Sequence, residues 1–324
     1  MISNEISVII PVYNEVENIE HLFNRLLPVV ESISDNYEII FVNDGSTDNS
    51  LDKIISCAQK NPKVFYINLS RNFGHQIALS AGLNHSNAQC AVILDSDLQD
   101  PPELIPELYS KFKEGNDVVY AKRQKRKGES FIKIITAKLY YRLLRQLVSF
   151  DIPLDAGDFR LLSRRVVLEI NKMPERNKFL RGQIAWLGFK QTHVLYERES
   201  RKGGKSSYSY AKMFRLAFDG ITGFSDKPLL LVSRLGFLIS FFSFLIILYA
   251  IFSHFILKQT ITGWTSLIIS AAFIGGIQLL SIGVIGQYIS RINTNVKNRP
   301  LYVVQSSNIK NQEKKDVSVD GSDS

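Results

Sequence analysis

Cysteine is scarce, with Cys57 and Cys90 the only two in 324 residues. They show no metal-ligand spacing, which argues against a disulfide framework or a thiolate zinc site and leaves two reduced, structural thiols. Histidine is also sparse. His21, His75, His85, His193 and His254 form no triad spacing and read as structural or surface groups, His75 excepted because it falls inside a motif. No Gly-x-Gly-x-x-Gly follows the first apolar run, and no Walker A sequence occurs, so a Rossmann dehydrogenase and a P-loop enzyme are disfavoured. The opening Met1-Ile2-Ser3-Asn4-Glu5 has neither a basic n-region nor a cleavable apolar stretch. The first domain is therefore expected to stay on the side of synthesis. Acidic residues number 31 against 39 Lys and Arg, a net charge of +8. Such a balance suits an anionic partner: nucleic acid, a phosphate-bearing ligand or the cytoplasmic membrane surface.

Apolar residues, by contrast, make up 45% of the chain and are unevenly placed. Short apolar runs at Ile6–Val12, Tyr37–Val42, Val64–Leu69 and Ala91–Leu94 read as strands. Between them, residues such as Ile19, Leu22, Phe23, Leu26 and Leu27 recur at helical spacing. Asn14 and Glu17 have the spacing of a capping box for the first helix. Alternating strands and helices predict an α/β domain with a mainly parallel sheet covered on both faces. In such sheets ligands bind beyond the carboxyl ends of the strands, where Pro11–Glu15, Asp44, Arg71 and Asp95–Gln99 all fall.

The stretch Asp95-Ser96-Asp97-Leu98-Gln99-Asp100-Pro101-Pro102 follows the fourth strand. Two carboxylates so spaced repel each other unless a cation lies between them or solvent screens them. Their oxygen ligands suit Mg2+ or Mn2+, ions that also hold a diphosphate. An acidic pair is also common in solvated loops, and the Asp44-Gly45-Ser46-Thr47-Asp48 string reads equally as a turn. An Asp at that strand end can instead accept hydrogen bonds from a base or ribose.

Lys122–Lys127 is a basic run, either a solvated loop or a contact for phosphate and anionic lipid. Two amphipathic stretches follow, about 131–148 and 210–224, each fitting an interfacial membrane helix or a core helix. Phe179–Gly182 reads as a helix end, with Arg181 able to face an acceptor. Residues 235–257 and 264–288 are each long enough to cross a bilayer, which takes about 20 helical residues. The connector is short, so the pair is a hairpin. Lys227 and Arg234 precede it and Arg291, Lys297 and Arg299 follow it, placing both termini in the cytoplasm. Ala271/Gly275 and Ala272/Gly276 have small-xxx-small spacing, for the partner helix or a second copy of the chain. The tail from about 305 is polar and reads as disordered.

These motifs together carry a resemblance. Val8–Glu15 (Val-Ile-Ile-Pro-Val-Tyr-Asn-Glu), Asn43–Ser46, Arg71–Gln76, Asp95–Pro102, Asp155–Arg160, Glu175–Gly182 and Arg201–Tyr208 resemble those of family 2 glycosyltransferases of the GT-A fold. The branch they resemble is that of the polyprenyl-phosphate enzymes, including bactoprenol glucosyltransferases and dolichyl-phosphate mannose synthases. The resemblance implies a GT-A domain over 1–228, a membrane hairpin over 229–291 and a cytoplasmic tail over 292–324.

By residue, it implies that Pro11, Tyr13, Glu15 and Asp44 hold the nucleobase and ribose, with Arg71 close to the nucleotide. Asp95 would touch the nucleotide sugar, and Asp97 with Gln99 would organise Mg2+ or Mn2+ on the diphosphate. Asp158 would stand at the reacting carbon, and Arg123 and Arg201 would grip the acceptor phosphate. Asn43 departs from the Asp of many relatives. The implied reaction is inverting transfer of glucose from UDP-glucose to an undecaprenyl-type phosphate at the cytoplasmic membrane face. GDP-mannose or UDP-aminoarabinose as donor, and a non-catalytic scaffold or flippase partner, are the alternatives. No Gln-x-x-Arg-Trp motif marks a processive synthase, and with a membrane hairpin no nucleic-acid partner is expected.

Overall fold

The computed structural model describes residues 4–124, 156–196, 227–255 and 263–309. The stretches read as interfacial helices, 131–148 and 210–224, and Arg201 lie outside these. Four strands, β1 (Asn4–Val12), β2 (Tyr37–Asn43), β3 (Val64–Leu69) and β4 (Ala88–Ile93), run parallel in the order β3-β2-β1-β4. Helices α1 (Ile19–Glu31), α2 (Ser50–Lys60) and α3 (His75–His85) connect them. β1 is apolar on both sides because both are covered. Ile6, Val8, Ile10 and Val12 share one core with Leu22 and Leu26 of α1 and Ile54 of α2, whereas Ile9 packs with Ala78, Leu79 and Leu83 of α3.

After β4 come α4 (Ile105–Lys113), β5 (Val118–Arg123), β6 (Ala156–Ser163), α5 (Arg164–Lys172), α6 (Leu180–Trp186) and β7 (Gln191–Tyr196). β6 lies antiparallel between β4 and β5, and β7 is parallel to β5. With a last strand, β8 (Val304–Ser307), the sheet order is β7-β5-β6-β4-β1-β2-β3-β8, mostly parallel with antiparallel insertions. Strand order reverses at β1, with β2 on one side and β4 on the other, which opens a crevice at the carboxyl ends.

Four expectations need correction. No capping box forms at Asn14 and Glu17. Asn14 sits at φ 56° and its Oδ1 accepts the Thr47 N–H at 2.8 Å, so that oxygen serves the β2 loop while α1 begins at Ile19 behind Asn18. Lys122 and Arg123 close β5 and are not loop residues. Phe179–Gly182 opens α6 and does not end a helix. The segment from 305 is ordered as far as 309: β8 (Val304–Ser307) pairs antiparallel with β3. Asn308 fixes it, its Oδ1 accepting the Tyr66 N–H at 2.7 Å and its Nδ2 donating to Val64 O at 3.1 Å.

Two helices, α7 (Lys227–Phe255) and α8 (Trp264–Val296), are long and apolar enough to cross a membrane by length and composition. They start and end beyond the expected limits of 235 and 288. Their apolar side chains face outward, Phe237 78% exposed and Leu279 72%. At the end of α8, Asn295 Oδ1 accepts the Arg176 N–H at 3.3 Å, and Arg176 Nη2 donates to Asn298 Oδ1 at 2.9 Å. The chain after α8 then returns to the same sheet through β8.

Candidate active site

Past Ile93 the chain turns through Leu94–Asp100. Leu98 takes φ 60°, a left-handed conformation costing a side-chain-bearing residue about 1–2 kcal/mol. Through this turn the strand's alternation persists: Ser96, Leu98 and Asp100 are buried, while Asp95, Asp97 and Gln99 stay partly exposed. Asp97 Oδ1 accepts the Gln99 N–H at 3.1 Å. Burial pushes the Asp95 carboxyl up to about 6, against the pull of His75 and with added repulsion from Asp158. Its Oδ1 is buried and accepts no hydrogen bond.

The loops after β1, β2 and β3 interlock beside that turn. Ser50 Oγ accepts the Glu15 N–H at 3.0 Å, and Glu15 takes a hydrogen bond from Asn18 Nδ2. Pro11 is buried within β1, and Tyr13 is 47% exposed above it. Asp44 is buried, and its two oxygens accept the Phe73 N–H at 2.7 Å and the Gly74 N–H at 2.9 Å. Burial raises its carboxyl, and the two N–H groups only partly offset this. Asp44 therefore shapes the turn that launches α3. Gly45, at φ +64°, has no room for a Cβ, which would sit 2.4 Å from the Arg71 carbonyl carbon. Arg71 lies over the Phe73 ring at 4.3 Å.

Asp158 closes the other side. Arg181 meets it with two hydrogen bonds, Nε to Oδ1 at 2.7 Å and Nη2 to Oδ2 at 3.1 Å. His75 Nε2 lies 3.2 Å from Oδ2, and Gln76 Nε2 donates to the same oxygen at 3.3 Å. Gln76 Oε1 in turn accepts the Leu180 N–H at 3.0 Å, binding the start of α6 to the start of α3. Burial alone would raise Asp158, but the Arg181 charge and the His75 contact hold it well below the usual carboxylate range. For His75, withdrawal from water would lower the imidazolium pKa; the Asp158 hydrogen bond and the charges of Asp95 and Asp158 outweigh it and raise it. His75 Nε2 is also 3.6 Å from Asp95 Oδ1, linking the two carboxylates. The guanidinium of Arg123 lies beside Gly157, 3.3 Å from where a Cβ would be.

Hydrogen bonds and close contacts tie Asp44 to the start of α3, and His75 of α3 to both Asp95 and Asp158, while Pro11, Tyr13, Glu15, Arg71, Asp97, Gln99 and Arg123 lie along the same carboxyl edge of the sheet. Gln76 joins them without having been singled out, although it ends the Arg71–Gln76 motif. Among the described residues no three His, Cys, Asp or Glu side chains form a ready-made metal cluster. The hydrogen-bond-free Asp95 oxygen and the partly exposed Asp97 and Gln99 fit a hard cation that takes its remaining ligands from a diphosphate and water.

The chain is similar to several known proteins. Residues 7–170 match Glycosyl transferase family 2. The chain is 48% identical over 301 residues to the uncharacterized glycosyltransferase YkcC of Bacillus subtilis, covering 93% of each. It is 39% identical to the bactoprenol glucosyl transferase of Shigella phage SfII, over 94% of this chain and 98% of that one. Among solved structures it resembles Mycobacterium tuberculosis glucosyl-3-phosphoglycerate synthase with Mn2+, UDP and phosphoglyceric acid, at TM-score 0.45 and 20% identity over 68% of this chain and 76% of that one.

Proposed function

The chain belongs to glycosyl transferase family 2, and from that premise we propose that this glycosyltransferase moves glucose from UDP-glucose to a polyprenyl phosphate at the cytoplasmic face of a membrane. The anomeric carbon exchanges its bond to the diphosphate oxygen for one to the acceptor phosphate oxygen, with inversion, and UDP leaves. The bactoprenol glucosyl transferases, 38–39% identical along nearly their whole length, support this acceptor and sugar. The observation that carries the acceptor class is the state of Asp158. A carboxylate gripped by Arg181, His75 and Gln76 and held well below its usual pKa is a poor proton acceptor. A hydroxyl acceptor would need a base, whereas a phosphate monoester, with a second pKa of about 6, is already an anionic nucleophile at neutral pH. Asp158 then orients the acceptor and faces the positive charge that develops on the sugar.

Asp97 and Gln99 would hold Mg2+ or Mn2+, whose charge stabilises the departing diphosphate. Pro11, Tyr13, Glu15, Asp44 and Arg71 line the nucleotide end, and Arg123 with Arg201 meets the acceptor phosphate. Two membrane crossings fit the exposed apolar surfaces of α7 and α8 and the return of the chain to the same sheet after α8, with both termini cytoplasmic. The test is transfer of labelled sugar to polyprenyl phosphate from UDP-glucose, UDP-galactose and GDP-mannose, with metal and with chelator, using wild type and Asp97→Asn. Metal-dependent product from UDP-glucose, reduced about 100-fold or more in the variant, is the expected result. Product from another donor alone would replace the sugar. No product from any of the three, together with no UDP binding, would favour the scaffold reading.

A further inference from the structure

Arg123 and Tyr196 are register partners at the ends of the parallel strands β5 and β7. Arg123 Nε donates to the Tyr196 hydroxyl at 3.4 Å, and that hydroxyl donates to Asp100 Oδ1. Chemistry fixes the direction of this relay. A guanidinium can only donate and a carboxylate can only accept, so the single phenolic proton belongs to Asp100 and the oxygen lone pair faces Arg123. The relay is built into the core: Asp100 is fully buried, Tyr196 is 5% exposed, and Phe159 meets the Tyr196 ring edge-on at 6.3 Å. Gly157 bounds the guanidinium on its other side, and the next residue is Asp158. A long arginine side chain otherwise loses rotamer entropy when it is fixed on a ligand. Engaging Nε in the free protein restrains the side chain beforehand and leaves the two Nη groups placed for a bidentate grip on phosphate.

We propose that Tyr196 and Asp100 are positioning residues for the acceptor: the buried pair aims the Arg123 guanidinium past Gly157 at the lipid phosphate beside Asp158. This rests on the reading of Arg123 as the grip on that phosphate. Asp100 also closes the Asp95–Asp100 turn, so one hydrogen-bonded relay ties the acceptor grip to the donor loop.

The experiment measures dissociation constants for a short-chain prenyl phosphate and for UDP, by calorimetry on the full-length protein in detergent. Wild type, Tyr196→Phe, Arg123→Ala and the double variant are compared. Tyr196→Phe is expected to weaken prenyl phosphate binding about tenfold, because the buried Asp100 and the half-buried Arg123 lose their shared partner. UDP binding should stay within about twofold, a split that general damage to the fold would not give. In the Arg123→Ala background the Tyr196 substitution should add nothing, as required of a residue acting through Arg123. Unchanged prenyl phosphate binding in Tyr196→Phe, or independent additive losses in the double variant, overturns the proposal while leaving the reading of Arg123 intact. Unchanged binding in Arg123→Ala overturns that reading and the proposal with it. Should Tyr196→Phe not fold, Asp100→Asn must give the same selective loss, and equal losses for both ligands would count against the proposal.

Discussion

The two sides of the crevice are built by different physics. On the side formed by the ends of β1, β2 and β3, main-chain groups do the fitting. Asn14 engages the N–H of Thr47, Asp44 engages those of Phe73 and Gly74, and Gly45 passes directly beneath the backbone of Arg71. On the side formed by β6, α3 and α6, side chains of opposite charge meet at one point, with Arg181 and His75 converging on Asp158. Burial therefore leaves opposite marks on two carboxylates of one site. Asp44, compensated by neutral N–H groups, is raised, and Asp158, compensated by charge, is held well below its usual value. In the proposed function the first side supplies shape to a nucleotide, and the second supplies a fixed charge pattern to a reacting centre.

The largest effect is expected where that charge pattern is cut. Arg181→Ala leaves the buried Asp158 carboxylate with only His75 as a charged partner, a loss of up to roughly 3–5 kcal/mol for such pairs. Transfer activity should fall about 100-fold or more, and the thermal midpoint should drop, with UDP binding little changed. Arg181→Ala with normal activity and stability would break the contrast, since the second side would then not depend on charge. On the first side the matching cut is steric. Gly45→Ala puts a Cβ into the Arg71 main chain at positive φ, costing about 1–3 kcal/mol. Here UDP affinity should fall while prenyl phosphate binding holds, measured by titration of each ligand. Equal loss of both would mean that the two sides cannot be perturbed separately.

The first side was legible in the sequence because its determinants are local. Apolar runs, a Gly in a turn and acidic residues at strand ends sit within a few residues of one another, and the strand-end rule gathers them without any knowledge of contacts. What failed there was a competition between two local uses of one side chain, since Asn14 can cap a helix or brace a neighbouring loop. The second side was legible only in part. Asp158 and Arg181 fell within recognisable motifs, but the contacts of His75 and Gln76 with Asp158 span 83 and 82 residues. No periodicity reports such a meeting. Strand β8 escaped for the same reason: its four exposed residues look like a polar tail until β3, more than 230 residues earlier, offers an edge.

The smallest and most discriminating effect is in acid. A carboxyl depressed in the folded protein contributes stability that is fully present above its unfolded value, 3.8 for Asp158, and is lost as pH falls through the lower folded value. A raised carboxyl such as Asp44 has the opposite sign: ionisation costs stability at neutral pH, and that cost is relieved as pH falls. The thermal midpoint of Asp158→Asn in detergent should therefore lie below wild type at pH 7, and the gap should close as pH falls below about 4. The gap closes fully only once pH has passed the lower folded value, where protonation gives the wild type the same uncharged group. Asp44→Asn removes an ionisation that already costs stability, so its gap at pH 7 should be the smaller of the two and should not close on acidification. Parallel behaviour of the two variants would mean that burial, not the nature of the partners, sets both carboxylates, and the difference between the two sides would reduce to one of shape alone.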